Sequence, residues 1–200
     1  MVRFVRFFTV VALVLVTGIA NAQDCATAVA PQCGGGVCAV PGDVCRPDLS
    51  TGVPACACVP TLPLGVTNLS IKLNFAKPSL DSIQLKGTVE VAPDFDPAGA
   101  TVVVDVGGVV KGFTLGDKGK VKVGTDSVQI KKPKDGVSKF SVKFAKGSFA
   151  TTLQDEGLVN ETVSDVAVSV GTEVQLNGVI YKKLQPQTYK AKQGKTGSAK

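Results

Sequence analysis

Apolar and polar residues alternate along many short segments of the chain, with the two-residue period that predicts β-strands. The clearest case is the run 100–115, in which two valine-rich segments flank Gly107 and Gly108. Consecutive glycines can adopt the positive φ angles of a two-residue turn, so this run predicts a β-hairpin. One face of the hairpin then carries alternate residues of both segments, namely Val102, Val104, Val106, Val109, Lys111, Phe113 and Leu115.

The same pattern recurs along most of the chain after residue 66. Roughly nine short apolar segments, with turn residues about every 8–12 positions, predict an antiparallel β-sandwich with immunoglobulin-like or Greek-key connections. We assign this domain to residues 67–190. Asn177 and Gly178 predict a second two-residue hairpin turn. The run 150–157 interrupts the strands and predicts a short helical turn that ends at Gly157.

The first 22 residues have the pattern of a secretory signal peptide. Arg3 and Arg6 precede the apolar run 7–16, and Ala-Asn-Ala at 20–22 offers a cleavage site. We therefore expect a mature chain that begins at Gln23. The protein is expected to be secreted or extracellular, or periplasmic or on the cell surface in a Gram-negative organism. No later segment is apolar over the about 20 residues of a transmembrane helix, so no transmembrane segment is predicted.

The segment 23–60 contains all the cysteines of the chain. An even number of cysteines in a short exported segment predicts a disulfide-rich module, because so small a unit cannot bury enough apolar surface without cross-links. The pairing of the cysteines stays open. Residues 61–66 are predicted to be a linker, and residues 191–200 a flexible basic tail. The six cysteines of the module are Cys25, Cys33, Cys38, Cys45, Cys56 and Cys58.

The chain lacks the residues of the common catalytic machineries. It contains no histidine, which excludes Ser–His and Cys–His pairs, so we predict no enzymatic activity, no cofactor and no metal site. Two carboxylate pairs, Asp94/Asp96 and Asp155/Glu156, leave hydrolysis of a glycoside by acid–base catalysis as a third-ranked function. Asp94 and Asp96 lie between prolines, where a turn-forming role is favoured over Ca²⁺ ligation.

Lysine is concentrated in the segment 111–146, which contains ten lysines and three acidic residues. Alternation predicts that several of them project from one polar face, which is typical of a surface for an acidic polysaccharide or a membrane. For these lysines the favoured interpretation is protection of exposed strand edges, where lysine prevents aggregation. No arginine or tryptophan lies among these lysines, so no specific nucleic-acid partner is expected. The candidate anion-binding residues are Lys118, Lys120, Lys122, Lys139 and Lys143.

Three short sequences carry a resemblance to other proteins. They are Phe-Thr-Leu-Gly-Asp-Lys-Gly-Lys at 113–120, Lys-Phe-Ser-Val-Lys-Phe at 139–144 and Asp-Glu-Gly-Leu-Val-Asn at 155–160. Over about residues 80–185 the chain resembles a group of uncharacterised exported bacterial proteins with a repetitive all-β domain. The resemblance implies export and a β fold, and it supplies no function or site residue to transfer.

Together these features predict an exported, non-catalytic β-sandwich protein. Its most strongly indicated function is that of a cell-surface or extracellular binding or adhesion module for an acidic partner. A structural component of an extracellular matrix or coat is the alternative, because the turns are repetitive and no cluster of polar residues indicates chemistry.

Overall fold

The computed structural model of the protein describes residues 61–200 in full. Before residue 61 it describes only the backbone of four short strands, which pair antiparallel as β1 (Gln32–Cys33) with β2 (Gly36–Val37) and β3 (Val44–Pro47) with β4 (Cys56–Val59). The predicted signal peptide and the side chains of all six cysteines lie outside the described residues. The predicted disulfides therefore stay a prediction.

Residues 61–200 are built almost entirely from β-strands. Neighbouring strands are antiparallel, except that the short strand β5 pairs in parallel with β14, so the predicted all-β antiparallel class is confirmed. No helix within this part of the chain has the length and hydrophobicity needed to cross a membrane. The elements are β5 (Thr61–Pro63), β6 (Gly65–Asn74), β7 (Asp81–Glu90), β8 (Thr101–Val106), β9 (Val109–Thr114), β10 (Lys120–Val123), β11 (Asp126–Ile130), β12 (Val137–Gly147), the 3₁₀ helix η1 (Thr152–Glu156), β13 (Val163–Leu176), β14 (Val179–Lys192) and β15 (Thr196–Ala199).

All these strands belong to one sheet. Its order is β10-β11-β12-β7-β6-β15-β14-β13-β8-β9, with β5 beside β14 off this path. The last strand of the chain, β15, lies inside this order and pairs with β6 on one side and β14 on the other. Without β15 the path would divide into the two sheets that a sandwich requires. Because β15 joins them, the finer assignment to an immunoglobulin-like or Greek-key sandwich is not confirmed.

Residues 191–200, predicted to be a flexible tail, complete β14 and form β15. The physical reason is the small size of the residues on the inner face of β15. A Cβ on Gly197 would overlap the Tyr189 hydroxyl, so the glycine makes room for that ring, and the neighbouring Ala199 is fully buried. The tail prediction was therefore wrong, because large neighbours from other strands supply the apolar surface that this segment lacks.

Residues 61–66, predicted to be a linker, also lie within the sheet. They contain β5 and the beginning of β6, and Leu64 between them is buried. The Leu64 amide donates a hydrogen bond to the carbonyl oxygen of Lys182 on β14 at 3.1 Å. The linker prediction is corrected by these contacts, since the buried leucine and the strand pairing hold the segment against β14.

The sheet folds back so that its two ends face each other in a nearly closed, barrel-like arrangement. Side chains from β9, at one end, reach across the interior to the other end. The Lys111 ammonium of β9 lies 2.5 Å from a carboxylate oxygen of Asp126 on β11. Beside it, Phe113 of β9 stacks on Phe144 of β12, with ring centroids 6.1 Å apart.

One hydrophobic core fills the interior of the folded sheet. Alternate residues of the long strands point into it, as a pleated strand requires. On β12 the buried residues Phe140, Val142 and Phe144 alternate with the exposed Lys139 and Lys143. The predicted inner face of the first hairpin is confirmed, because its six apolar members are buried, namely Val102, Val104, Val106, Val109, Phe113 and Leu115.

The predicted turns are confirmed by backbone angles. Gly107 and Gly108 have φ values of 56° and 85°, and Asn177 and Gly178 have φ values of 46° and 87°. Both pairs thus occupy the left-handed region that a primed two-residue turn requires. Gly157, with φ of 80°, ends the short helix η1.

Asp81 is a buried carboxylate that connects two loops at one end of the sheet. Its side chain accepts hydrogen bonds from the backbone amides of Asn74 at 2.7 Å, Phe149 at 2.6 Å and Ala150 at 3.0 Å. Buried carboxylates are stable when their oxygens are satisfied in this way. Asp81 therefore has a structural role, and it is not available for catalysis.

Both tyrosines of the chain are buried and join distant segments. Tyr181 donates a hydrogen bond to the backbone oxygen of Glu90 at 2.5 Å, and Tyr189 donates one to the backbone oxygen of Val159 at 2.7 Å. Burial raises the pKa of Tyr189 to about 12. Burial, and secondarily the charge of Glu90, raises the pKa of Tyr181. Burial thus favours the neutral form of both side chains.

If β15 is an interior strand, enlarging Gly197 must destabilise the whole domain. We expect Gly197→Ala to lower the free energy of unfolding by about 1–3 kcal/mol, because the added methyl group overlaps the Tyr189 hydroxyl. The matched control is Gly171→Ala on β13, where the nearest heavy atom to the new Cβ is 3.6 Å away. Urea unfolding compares the two variants. Equal stabilities would show that the C-terminal segment does not pack as described.

Stability should fall in alkaline solution, since an unfolded tyrosine ionises near pH 10 and Tyr189 in the fold near pH 12. Above about pH 10 the unfolded state binds fewer protons, so the stabilisation is complete below that pH and is lost as the pH approaches about 12. We expect the unfolding free energy to decrease over this range in the natural protein and less steeply in Tyr189→Phe. Parallel curves for the two proteins would contradict this role of the tyrosine.

Candidate anion-binding surface

Eight lysines project from the outer side of the sheet. Each is exposed and lies next to a buried or partly buried residue of its strand, so the pleat itself directs the charged side chain to solvent. On the outer side of these strands the only acidic residue is Glu90, at the end of β7. We call this set the lysine face, and its members are Lys72, Lys86, Lys120, Lys122, Lys139, Lys143, Lys190 and Lys192.

The structure brings together four of the five lysines that the sequence singled out. Lys120 and Lys122 on β10 and Lys139 and Lys143 on β12 lie on the lysine face, on either side of β11. Lys118 is exposed in the turn before β10, outside the strands. The predicted set is thus largely one surface.

Sequence reasoning missed the other half of the lysine face. Lys86 is brought to β12 by the pairing of β7 with β12, two strands that are far apart along the chain. Lys72 and Lys190 face Ser198 from opposite sides, because β15 pairs with both β6 and β14. Alternation alone places each of these lysines on a polar face. Whether these polar faces form one continuous surface depends on the order of the strands in the sheet. No local sequence pattern predicts that order.

Uncharged polar residues separate the lysines across the strands. One row runs from Lys120 through Gln129 and Ser141 to Lys86. With strands about 4.8 Å apart, this row places two ammonium-bearing residues about 14 Å apart, and a neighbouring row from Lys122 to Lys143 places two about 10 Å apart. The surface therefore presents a regular array of positive charges with hydrogen-bonding side chains between them.

A shallow depression of about 450 Å³ lies in this array, between β6, β7, β11 and β12. Three lysines line it, namely Lys86, Lys131 and Lys139, and no carboxylate does. Hydroxyl and amide groups complete the lining and can both donate and accept hydrogen bonds. They belong to Thr67, Thr88, Gln129 and Ser141.

A second depression, of about 660 Å³, lies on the outer side of β6, β15 and β14. Its lining contains four lysines and again no acidic side chain. Leu80, half exposed, and the hydroxyl groups of Ser164, Thr196 and Ser198 line the rest of it. The four lysines are Lys72, Lys190, Lys192 and Lys200.

None of the eight lysines on the lysine face has an ion-pair partner among residues 61–200. The ion pairs Lys111–Asp126 and Lys132–Asp96 do not include any of these eight lysines. Within residues 61–200 the charges of the lysine face are therefore not neutralised by ion pairs. Closely spaced unpaired cations of one sign create a positive potential that attracts anions.

A third depression, lined by β8, η1, β13 and β14, contains acidic residues. Asp105, Glu156 and Glu173 line this depression of about 520 Å³ together with Lys182 and Lys183. Two of these carboxylates are engaged by backbone amides: Asp105 accepts a hydrogen bond from Gly108 at 2.8 Å, and Glu156 accepts one from Gly171 at 3.3 Å. These two carboxylates brace the turn of the first hairpin and the end of η1.

Of the two carboxylate pairs considered for catalysis, Asp94/Asp96 lies in the loop between β7 and β8, and Asp155/Glu156 lies in η1. Asp96 accepts a hydrogen bond from the Ala98 amide at 3.0 Å, which forms an Asx turn. That hydrogen bond, followed by the contact with Lys132, lowers the pKa of Asp96. Within residues 61–200 no three acidic residues lie close enough together to hold a metal ion.

Comparison of the chain with known protein families, with characterised proteins and with solved structures finds no match. The resemblance to exported bacterial proteins therefore stays a prediction. Function is inferred from the geometry and charge of the described residues.

Proposed function

We propose that the protein is an exported, non-catalytic binding module that attaches to an acidic polysaccharide through the lysine face. The observation that carries this proposal is the accumulation, on the outer side of β6, β7, β10, β12 and β14, of eight lysines without an ion-pair partner in residues 61–200 and of a single acidic residue. Two lysine-lined depressions within this surface offer places where a polymer chain can lie.

Protection of strand edges explains only part of the lysine face. Lys120 and Lys122 lie on β10, which is an edge strand, and their charges do oppose pairing with another sheet. The other six lysines lie on β6, β7, β12 and β14, which have a neighbour on each side. An interior strand has no open edge to protect, so these six lysines favour a binding role.

The chemistry between the lysines favours a polysaccharide over a nucleic acid. Residues 61–200 contain no arginine for bidentate phosphate contacts, and both tyrosines are buried and cannot stack on bases. Serine, threonine and glutamine side chains between the lysines can instead bind sugar hydroxyl groups.

Export is part of the same proposal. The signal-peptide pattern of residues 1–22 would deliver the protein to the cell surface, where acidic polysaccharides occur. Disulfides in the segment 23–60 would stabilise a second, smaller module in that oxidising environment.

The direct test measures binding to polygalacturonate, an acidic polymer, with uncharged dextran as the control ligand. We expect binding that weakens between about 0.15 M and about 1 M salt, because screening shortens the range of charge attraction from about 8 Å to about 3 Å. Dextran should not bind. Equal binding of both polymers would contradict the proposal.

A pair of triple variants tests whether the lysine face is the binding site. Changing Lys86, Lys131 and Lys139 to glutamine should weaken binding about tenfold, since an exposed charge pair contributes a few tenths of a kcal/mol to about 1 kcal/mol. The control changes Lys77, Lys182 and Lys183 to glutamine, which removes the same charge elsewhere and should alter affinity less than about twofold. Equal losses in the two variants would indicate that net charge alone drives binding.

A further inference from the structure

The strand order of the described sheet ends at two edges, formed by β9 and β10. Two-residue turns fix which backbone groups point outward from each edge. In the first hairpin Val106 and Val109 flank the turn and form a hydrogen-bonded pair, so alternate residues of β9 bond to β8. The intervening residues, Val110, Gly112 and Thr114, direct their N–H and C=O groups to the free edge.

These outward groups of β9 have no hydrogen-bond partner in the part of the chain that the structure describes. Two further backbone hydrogen bonds support this assignment of inward and outward groups. The Leu115 amide donates to the Ala100 oxygen at 2.9 Å, which continues the alternation, and the Asn177 amide donates to the Thr101 oxygen on the other side of β8 at 3.2 Å. The edge therefore presents three amide donors and three carbonyl acceptors in a row.

The two edges differ in their protection. β10 carries Lys120 and Lys122, both exposed, which repel an approaching sheet. The only charged residue of β9 is Lys111, and its ammonium is turned inward, bound to Asp126 and placed 5.0 Å and 5.1 Å from the ring centroids of Phe144 and Phe149. The one charge of β9 is thus paired and turned away from the free edge.

The surface beside this edge is apolar and open. Val110 is 59% exposed, although it is a large aliphatic residue. A Cβ on Gly112 would have no heavy atom within 4 Å, so nothing in the described chain covers the centre of the strand. A long open edge of this kind, without an outward charge, is a template for pairing with another strand.

We propose that β9 pairs antiparallel with β9 of a second copy of this chain, so that the two sheets become continuous across a two-fold axis at Gly112. The outward groups are spaced symmetrically about Gly112, and a two-fold rotation therefore matches each donor with an acceptor. It also places Val110 beside Thr114 of the second copy, a favourable pair of β-branched side chains. No like charges meet at this interface, whereas pairing through β10 would bring lysines together.

Two measurements on the full expressed protein test this proposal. Sedimentation analysis reports whether it dimerises, and amide hydrogen exchange reports whether the outward amides of β9 are protected. We expect a reversible dimer, with the amides of Val110, Gly112 and Thr114 protected from exchange more strongly as concentration rises. A monomer at all concentrations would overturn the proposal, as would a dimer in which these amides exchange freely. Protection that does not depend on concentration would also overturn it, because another segment would then cover the edge.

Gly112→Pro provides the matched variant. Its N–H faces the free edge, so proline leaves the β8–β9 pairing intact while it removes the central donor in both copies. We expect the dimer dissociation constant to rise by about thirtyfold or more. Lys122→Pro removes an equivalent outward N–H from β10 and should leave dimerisation unchanged. A dimer that Gly112→Pro does not weaken would overturn the proposal.

Discussion

The inward turn of Lys111 holds the two ends of the sheet together. Its ammonium binds Asp126 on β11 and lies over the rings of Phe144 and Phe149, so one cation joins β9 to the far end of the strand order. The pair is only partly accessible to solvent, with side-chain exposures of 30% and 15%. Such a pair is screened less than a surface ion pair, and the aromatic rings stabilise the cation further.

The same orientation of Lys111 determines the character of the outer surface. Lys111 lies in the interior of the folded sheet, whereas eight other strand lysines lie outside and form the lysine face. The cation that enters the interior is the one that would otherwise have protected the β9 edge. The alternation of inward and outward side chains along the strands therefore produces two distinct surfaces. One is a charged face suited to an anionic polymer, and the other is an edge without an outward charge, suited to strand pairing.

Local patterns predicted the parts of the fold that depend on local chemistry. The Gly107–Gly108 turn and the alternation along β12 follow from backbone freedom and the pleat. The sequence of β15, by contrast, contains no large apolar residue, and its burial depends on rings supplied by other strands, such as Tyr189. Because β15 was not predicted from the sequence, a sandwich of two sheets was predicted in place of one sheet. It also concealed that Lys72 and Lys190 belong to the same surface as the predicted lysines, since strand order is set by non-local pairing.

A double-mutant cycle on Lys111 and Asp126 tests the closure of the sheet most directly. Lys111→Met removes the cation, and Asp126→Asn removes the charge while keeping an acceptor for the Ala145 amide. Urea unfolding of the two single variants and the double variant gives their interaction free energy. We predict a coupling of about 1–2 kcal/mol, as for contacting groups in a partly buried network. Effects that add within about 0.3 kcal/mol would show that these residues do not meet, and would contradict the folded-back sheet.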